Sequence, residues 1–387
     1  MKKRVDFIDY GKAIVIFLVV TIHVGIDQLN FLALLTMPLF FIIPGYLYNP
    51  DKHSPKTSII KRFKSLILPY WRFMVLYAVV EVFRASILGY GDVSIALPSL
   101  ISAIYGSTKL PVVGPLTNYL LGIMSYKPQV EGLVDLILPT NCHLWFLPAL
   151  FTGFVMFVLI VQLAKKSGHE LPVYLAGILA ALLLSSVETI DGMFQLPYAI
   201  GRGGFACACL ITGLLIRKSG LFESTSKPRL TVSVALSILV YAVIYLQGYD
   251  GGSIVRSVYG PNGVIGVFLT FIGGVAGAYA LLQLLRGVEK CPVKWIKSVL
   301  STVGQNTLTI YLWHFVLICV FDCLFFGITH LPIQPDQFYM ALIPSNFVAY
   351  KVVECILIVA ILTGWALIKP KLGLGKAKRP TDKPLTS

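Results

Sequence analysis

Charged residues are scarce in this 387-residue sequence, since Asp, Glu, Lys and Arg together make up 13% of it. A soluble globular protein carries roughly twice that fraction. Hydrophobic residues reach 56%, and no polar stretch is long enough to form a soluble domain of any size. The composition therefore excludes an ordinary soluble protein. It predicts one membrane domain over residues 1–370, followed by a basic, disordered tail over residues 371–387.

Negatively charged residues are fewer than positively charged ones: 18 Asp and Glu stand against 32 Lys and Arg, which gives a net charge of +14. An excess of this kind also occurs in nucleic-acid-binding proteins. Here the basic residues lie in short clusters between apolar runs, as the positive-inside rule describes for membrane proteins. We therefore expect a lipid bilayer as partner and no nucleic acid. The seven cysteines lack metal-ligand spacing, so no metal site is expected.

The apolar runs predict an all-α, polytopic transmembrane bundle of about ten spanning helices. The expected spans are 10–28, 30–48, 69–89, 144–164, 171–187, 199–216, 231–247, 263–285, 302–326 and 345–368. With the N-terminus inside, 24 of the 32 Lys and Arg fall on the inner side. This predicts a protein of the inner (cytoplasmic) membrane with both termini cytoplasmic. Five prolines interrupt residues 90–143, which we interpret as an outer cap.

The first apolar helix carries a polar stripe. Lys12 and His23 are eleven residues apart, which places them within about 20° on one helical face and about 16 Å apart along the axis. Ionisable groups inside a bilayer are costly and usually functional. Asp27, four residues after His23, is expected on the same face, where it could orient the imidazole ring. The charge distribution puts Lys12 at the cytoplasmic side and His23 most of the way towards the outer side.

Other spans also contain polar groups. Glu81 with Arg84 and Lys351 with Glu354 are spaced i and i+3, and the simplest interpretation is that each pair neutralises itself within the bilayer. His143 and Trp145 open the fourth span on its outer side. His314, taken alone, is best explained as a structural hydrogen-bonding residue between helices.

Basic residues gather at the expected inner mouth of the bundle: Lys12, Lys61, Arg62, Lys64 and Arg72. Residues 56–68 read as an amphipathic helix, which could anchor anionic lipid or bind a polyanionic ligand. Acetyl-CoA fits the second interpretation. Its phosphates suit a basic mouth, and its pantetheine arm is long enough to reach a base between the helices.

Several segments, taken in order, resemble the acyltransferase-3 family of integral-membrane acyltransferases, in particular its fucose 4-O-acetylase-like branch. Lys12 and His23 match its signature of a basic residue, a ten-residue gap and a histidine. The other matching segments are Met37-Pro-Leu-Phe-Phe-Ile-Ile-Pro-Gly-Tyr46, Lys61-Arg-Phe-Lys64, His143-Leu-Trp-Phe-Leu147 and Gly304-Gln-Asn-Thr-Leu-Thr-Ile-Tyr-Leu-Trp-His314. Pro44 stands where the family often has serine, and lysines replace the paired arginines of many members.

The resemblance implies a ten-helix membrane O-acetyltransferase that takes acetyl-CoA, or another acyl-CoA, as co-substrate with no bound cofactor. The acceptor would be a carbohydrate hydroxyl of the cell envelope or of a secreted glycan, as in polysaccharide modification. His23 is the expected catalytic group, as a general base or as an acyl carrier, with Asp27 or Glu81 orienting it. Lys12, Lys61, Arg62, Lys64 and Arg72 would hold the donor. His143, Trp145, Tyr311 and His314 would line the acceptor side.

A transporter or flippase for a glycan lipid or an anionic substrate is the alternative, because such proteins also carry charges within the membrane. Against it, the sequence has no inverted repeat and the first helix is uninterrupted. A non-catalytic scaffold would not need the Lys12–His23 stripe.

Overall fold

The structure is all-α throughout the part of the chain that it describes. The computed structural model describes residues 6–26, 29, 32–73, 76, 79–80, 83, 144, 146–187, 200–222, 226–246, 263–330, 343, 346–369 and 372. Its α-helices are α1 (Asp6–His23), α2 (Ala33–Leu47), α3 (Pro55–Arg62), α4 (Phe146–Ser167), α5 (Glu170–Val187), α6 (Ile200–Lys218), α7 (Lys227–Leu246), α8 (Gly263–Glu289), α9 (Lys294–Gln305), α10 (Thr307–Thr329) and α11 (Val348–Ile368). No strand occurs among these residues, which confirms the predicted fold class.

Six of these helices are long and apolar enough to cross a membrane, namely α4, α6, α7, α8, α10 and α11. Shorter apolar helices occupy Leu34–Leu47 and Glu170–Ser186. The chain is therefore a polytopic helical membrane protein. The count of ten spans stays a prediction.

Helix α1 lies at the centre of the described bundle, in contact with α2, α8, α9, α10 and α11. Most of its side chains are buried, including Val15, Ile16 and Val20. Helix α6 packs between α2, α4 and α5, whereas α7 packs mainly on α8 and leaves leucines such as Leu239 and Leu246 exposed. This arrangement puts α1, with Lys12 and His23, in the protein interior and the apolar surface of α7 on the outside.

The lysine-rich segments predicted to share one side of the membrane do lie together in the structure. Contacts join the turn after α2 to the end of α4, the start of α5 to the end of α6, and the start of α1 to the end of α8. The contacts are Lys165 Nζ to Asp51 Oδ1 at 2.6 Å, Lys218 to Glu170, and Phe7 N to Glu289 Oε1 at 3.2 Å. We call this region, where α1, α3, α5 and α10 begin and α4, α6, α8 and α11 end, the basic end of the bundle.

The helix predicted at residues 56–68 is present, and it begins at Pro55. The Ser54 side chain caps it by accepting a hydrogen bond from Thr57 N at 3.3 Å. The helix then passes through a π-helical turn, Phe63–Ile67, and remains helical to residue 73. Such π turns are rare and occur frequently at functional sites. This turn follows Arg62 and contains Lys64. Both residues belong to the basic cluster identified from the sequence.

Two helix boundaries differ from the sequence prediction. Helix α1 ends at His23 and not at residue 28. The predicted span 302–326 is two helices, α9 and α10, divided at Asn306. The Asn306 side chain donates from Nδ2 to Thr302 O at 2.8 Å. This bond satisfies one of the carbonyls left without a partner at the end of α9, which explains why the helix stops there.

Several predicted features lie outside the described residues. These are the outer cap at 90–143, the tail 371–387 apart from residue 372, and the side chains of Asp27, Glu81, His143 and Trp145.

Candidate active site

Two histidines from different helices meet inside the bundle. His23 is the last residue of α1, and His314 is the eighth residue of α10. His23 Nδ1 lies 2.9 Å from His314 Nε2, with ring centroids 5.0 Å apart and ring planes inclined by 18°. His314 is fully buried and His23 is partly buried. The structure thus brings together the expected catalytic histidine and a residue expected only on the acceptor side.

The hydrogen bonds of this histidine pair, His23 and His314, define the tautomers of its neutral form. His314 Nδ1 lies 2.6 Å from the Tyr311 carbonyl oxygen, which can only accept, so Nδ1 carries the proton. Nε2 of His314 is then an acceptor, and the proton between the rings belongs to His23 Nδ1. The lone pair of His23 is consequently on Nε2. That nitrogen has the electronic character needed of a base or a nucleophile.

The end of α1 fixes where His23 sits. Gly25 adopts a left-handed conformation with φ of 82°. Gly25 N donates to Ile22 O at 3.0 Å, and Ile26 N donates to Thr21 O at 3.2 Å. These two bonds form a Schellman motif, which ends a helix at a glycine. Because α1 stops at His23, the helical i, i+4 relation assumed for His23 and Asp27 does not exist, and a role for Asp27 stays a prediction on other grounds.

Helix α11 holds the same turn from the other side. Lys351 Nζ donates to Gly25 O at 2.9 Å, and Thr21 Oγ1 lies 3.1 Å from Cys355 Sγ. Lys351 is only 3% exposed. A buried cation on the carbonyl that follows a helix C-terminus is favourably placed for the helix dipole. The turn that carries His23 is therefore tied to α11 by a buried charge.

Three ionisable side chains of α10 and α11 form what we call the buried ionic group: Asp322, Lys351 and Glu354, each at most 3% exposed. Asp322 and Lys351 both lie close enough to Glu354 to act on it through their charges. The sequence predicted that Lys351 and Glu354 would neutralise each other directly. In the described residues, Lys351 bonds the backbone at Gly25, and neither carboxylate oxygen of Glu354 has a hydrogen-bond partner.

The distance of the histidine pair from the basic end depends on the helix along which it is counted. His314 is the eighth residue of α10, about 10 Å from the start of that helix, whereas His23 is the last of the 18 residues of α1, about 25 Å from its start. Because the two rings are in contact, α10 begins nearer the pair than α1 does. The expected position of His23 towards the outer side of the membrane stays a prediction.

An aromatic ring packs against His314, and further aromatic rings pack behind it. The Tyr311 ring lies 5.8 Å from the His314 ring and 5.6 Å from the Phe146 ring, and Phe146 stacks on Phe41 at 5.0 Å. Tyr311 is only 5% exposed. It contacts the pair as a packed neighbour and, through its carbonyl oxygen, fixes the His314 tautomer. A contact of Tyr311 with an acceptor molecule stays a prediction.

The basic residues expected to hold the donor occupy separate surroundings at the basic end. Lys12 Nζ pairs with Asp9 Oδ1 at 2.6 Å within α1. Lys61 Nζ lies 2.9 Å from His53 Nε2, and the Arg62 guanidinium lies 5.0 Å from the centre of the Phe154 ring. Lys64 is exposed. Arg72 lines a cavity, described next.

A cavity of about 300 Å³ lies between the start of α10, the end of α11 and the helical segment that continues from α3 to residue 73. Arg72 and Lys369 contribute cations to it, Asn306 and Thr309 contribute polar groups, and Trp313 contributes an aromatic wall. Its volume is at the lower limit for small-molecule sites. The cavity lies at the basic end, where α10 begins, and α10 also carries His314.

A comparison with protein families decides what kind of protein this is. The family model of an acyltransferase domain, Acyl_transf_3, matches residues 5–367. The chain belongs to this acyltransferase family. No curated protein and no solved structure matches it. The resemblance inferred from the sequence motifs is therefore confirmed at the level of the family, and the activity is that of a membrane acyltransferase.

Some features of this candidate site have a signal in the sequence that the predicted spans overlooked, and others have none. Gly25, two residues after His23, is a standard stop signal for a helix and marks the end of α1. Lys369 follows a spanning helix and looked like one more basic flanking residue, yet it shares a cavity with Arg72. The pairing of His23 with His314 had no sequence signal, because it depends on how α1 and α10 pack.

Proposed function

We propose that this acyltransferase moves an acetyl group from cytoplasmic acetyl-CoA to a hydroxyl of a carbohydrate acceptor, with His23 as the central catalytic group. The observation that carries the proposal is the hydrogen-bonded chain from the Tyr311 carbonyl through His314 to His23. It assigns the lone pair of His23 to Nε2. An imidazole oriented in this way is the commonest general base in enzymes.

In the direct version of the reaction, His23 Nε2 accepts the proton of the acceptor hydroxyl while the hydroxyl oxygen attacks the thioester carbonyl carbon. The carbon–sulfur bond then breaks, and the CoA thiolate takes the proton from His23. His314 Nε2 accepts from His23 Nδ1 throughout, so it stabilises the imidazolium that forms in between.

In the two-step version, His23 Nε2 attacks the thioester carbon itself, and CoA leaves as the thiolate. The proton on His23 Nδ1 moves to His314 Nε2, which leaves a neutral acetyl-imidazole on His23. The acceptor hydroxyl oxygen then attacks the acetyl carbon, and the bond from that carbon to His23 Nε2 breaks. His314 returns its extra proton to His23 Nδ1, and the hydroxyl proton passes through His23 Nε2 to the CoA thiolate, which restores the resting pair. Both versions use the same tautomers, so the hydrogen bonds of the resting pair serve either one.

The donor site in this proposal is the basic end, which we assign to the cytoplasmic side. Arg72 and Lys369 would bind CoA phosphates at the cavity, since guanidinium and ammonium groups are the usual phosphate ligands in proteins. Lys12, Lys61, Arg62 and Lys64 would add positive charge elsewhere at the basic end. The acceptor would approach from the opposite side of the inner membrane, where His143 and Trp145 are expected.

The test compares His23→Ala with His169→Ala in turnover of radiolabelled acetyl-CoA by isolated membranes. His169 is exposed in the turn between α4 and α5, so its replacement serves as a matched control. Loss of a general acid–base group lowers a rate by roughly 10² to 10⁴. We expect a loss of that size for His23→Ala and none for His169→Ala. Near-normal turnover by folded His23→Ala protein would refute the mechanism.

Two further measurements divide the proposal into parts. Rapid quenching followed by peptide mass spectrometry detects an acetyl group on His23 in the two-step version and none in the direct version. Arg72→Glu should raise the apparent KM for acetyl-CoA about tenfold or more, because it places a carboxylate near the donor phosphates. Lys227→Glu, an exposed charge reversal at the start of α7, is its control. An unchanged KM in Arg72→Glu would remove the donor site from this cavity.

A further inference from the structure

In helix α9, as in the amphipathic helix that begins at Pro55, polar and apolar residues lie on separate faces. Helix α9 connects α8 to α10 at the basic end, and its 12 residues extend only about 18 Å, too short to cross a bilayer. Val303 and Gly304 are buried against the bundle, while Lys294, Trp295, Ser298 and Val299 are exposed. The helix therefore lies across the end of the bundle.

The exposed surface of α9 has an apolar edge. Trp295 and Val299, spaced i and i+4, lie side by side on the helix and are 68% and 52% exposed. This edge borders the buried stripe on one side and the polar face on the other. A large aromatic ring left in water would lose the benefit of burial, whereas tryptophan is enriched at the headgroup level of membranes.

The two charged residues of α9, Lys294 and Lys297, are both basic, and the acidic Glu289 beside them accepts a hydrogen bond from Phe7 N. Lys294 and the nearby Lys290 are exposed, and Lys297 Nζ lies 3.5 Å from the Glu289 carbonyl oxygen. A basic polar face beside an exposed apolar edge is the arrangement of interfacial helices that bind anionic bilayers. The two flanking helices, α8 and α10, are both long enough to span a membrane, so the surface of α9 lies at the level of the headgroups.

The buried face of α9 is packed tightly on α1. A Cβ added to Gly304 would overlap the backbone of Asp9, so the two helices touch there through their main chains. Asp9 is the partner of Lys12. A displacement of α9 would therefore also displace the start of α1, the helix that carries His23.

From these observations we infer that α9 is an anionic-lipid binding site. Trp295 and Val299 insert at the boundary between headgroups and acyl chains, and Lys290, Lys294 and Lys297 bind lipid phosphates. The occupant is the headgroup of an anionic phospholipid, because a bilayer presents negative charge directly beside apolar chains, which matches the basic face and the apolar edge of α9. The site does not depend on which acyl group or acceptor the enzyme uses.

The test is quenching of Trp295 fluorescence by brominated lipid in reconstituted vesicles. The protein is placed in phosphatidylcholine–phosphatidylglycerol vesicles in which either one lipid or the other is brominated, and the signal of Trp295→Phe is subtracted. We expect stronger quenching by the brominated phosphatidylglycerol. Each lysine near an anionic surface contributes about fivefold in affinity, so Lys294→Glu with Lys297→Glu should abolish the preference.

A matched control is Lys227→Glu with Arg229→Glu, the same charge change on exposed residues at the start of α7. It should leave the preference intact. Equal quenching by the two lipids in the unmodified protein would overturn the inference, as would a preference that survives the α9 reversal. Release of the quenching by added CoA would instead assign the lysines to the donor. Absence of quenching by both lipids, together with crosslinking through Trp295→Cys, would assign the surface to a second copy of the chain.

Discussion

Charged side chains differ in solvent exposure between the basic end and the interior beside the histidine pair. At the basic end, the Lys165–Asp51 and Lys218–Glu170 pairs join side chains that are 35% to 78% exposed. In the interior, Asp322, Lys351 and Glu354 are almost entirely removed from the surface. Water screens the first set, so each of those charges tolerates change. The second set interacts at low dielectric, where any unbalanced charge is costly.

The comparison indicates a division of labour within the proposed reaction. Exposed cations around Arg72 and Lys369 can exchange their counterions for the phosphates of a soluble donor. Buried groups around His23 and His314 keep fixed hydrogen bonds and exclude water, which preserves the protonation states that catalysis needs. If this division is right, changes in the interior should alter kcat and stability strongly, and changes at the basic end should alter only KM or very little.

The largest expected effect is that of His314→Ala. Removing the acceptor of the His23 Nδ1 proton frees the ring to rotate or change tautomer, so kcat should fall by about 10² to 10⁴. His314→Gln keeps an acceptor at the position of Nε2 and should recover part of the loss. Tyr311→Phe keeps the carbonyl oxygen that orients His314 and should cost less than about tenfold. Equal activity of His314→Ala and Tyr311→Phe would contradict the role of the histidine pair.

Next in size is the effect of Lys351→Met on stability. It removes the cation on Gly25 O while the buried carboxyl groups of Asp322 and Glu354 remain. Breaking a buried ionic contact costs about 3 to 5 kcal/mol in the free energy of unfolding. Lys218→Met removes an exposed pair at the basic end and should cost about 1 kcal/mol or less. Thermal unfolding in detergent measures both, and equal shifts would abolish the distinction between the two regions.

Much of the architecture was predictable because it depends on properties that a sequence displays directly. Long apolar runs predict spanning helices, and clusters such as Lys165–Lys166 and Arg217–Lys218 show which helix ends belong together. The family was recognisable from His23, Lys12 and the segment that ends at His314, since these are local motifs. The structure places those basic clusters at one end of the bundle, as their spacing implied.

The site was less predictable because it depends on contacts between distant residues. His23 and His314 are separated by 291 positions, and the sequence of neither helix indicates that the two side chains meet. Lys351 was interpreted through its neighbour Glu354, since i, i+3 spacing is visible in a sequence, whereas its bond to Gly25 O is not. At the division of 302–326 into two helices, Asn306 bonds Thr302 O through its side chain and Val303 O through its backbone N–H, and neither bond is visible in the sequence.

A smaller effect should separate two glycines that both adopt a left-handed backbone conformation. Gly25 and Gly168 have φ of 82° and 70°, and alanine at either position costs about 1 to 2 kcal/mol in a left-handed conformation. Gly168 lies at the basic end with nothing near its Cβ position, so Gly168→Ala should lower the melting temperature without changing kcat. Gly25→Ala should do both, because it displaces the turn that carries His23. Unchanged kcat in Gly25→Ala would show that this turn does not position the histidine.

The smallest effect concerns His53 at the basic end, which accepts a hydrogen bond from Lys61 Nζ. Desolvation by its surroundings, and then the charges of Lys61 and Lys52, hold the pKa of His53 below its ordinary value. The unfolded chain therefore binds a proton at His53 more readily than the folded protein does. Stability is unaffected well above pH 6.5, falls as the pH decreases through about that value, and levels off below the lowered folded-state pKa.

His53→Gln keeps a hydrogen-bond acceptor for Lys61 but cannot be protonated, so it isolates this contribution. Melting temperatures measured between pH 8 and pH 5 should fall slightly more steeply for the unmodified protein than for His53→Gln. Because the group is close to the surface, the difference should also shrink as salt is added. A pH dependence that is large, or that salt does not reduce, would mean that His53 behaves like the buried groups of the interior. The contrast between an adaptable basic end and a fixed interior would then fail at a partly exposed member of the basic end.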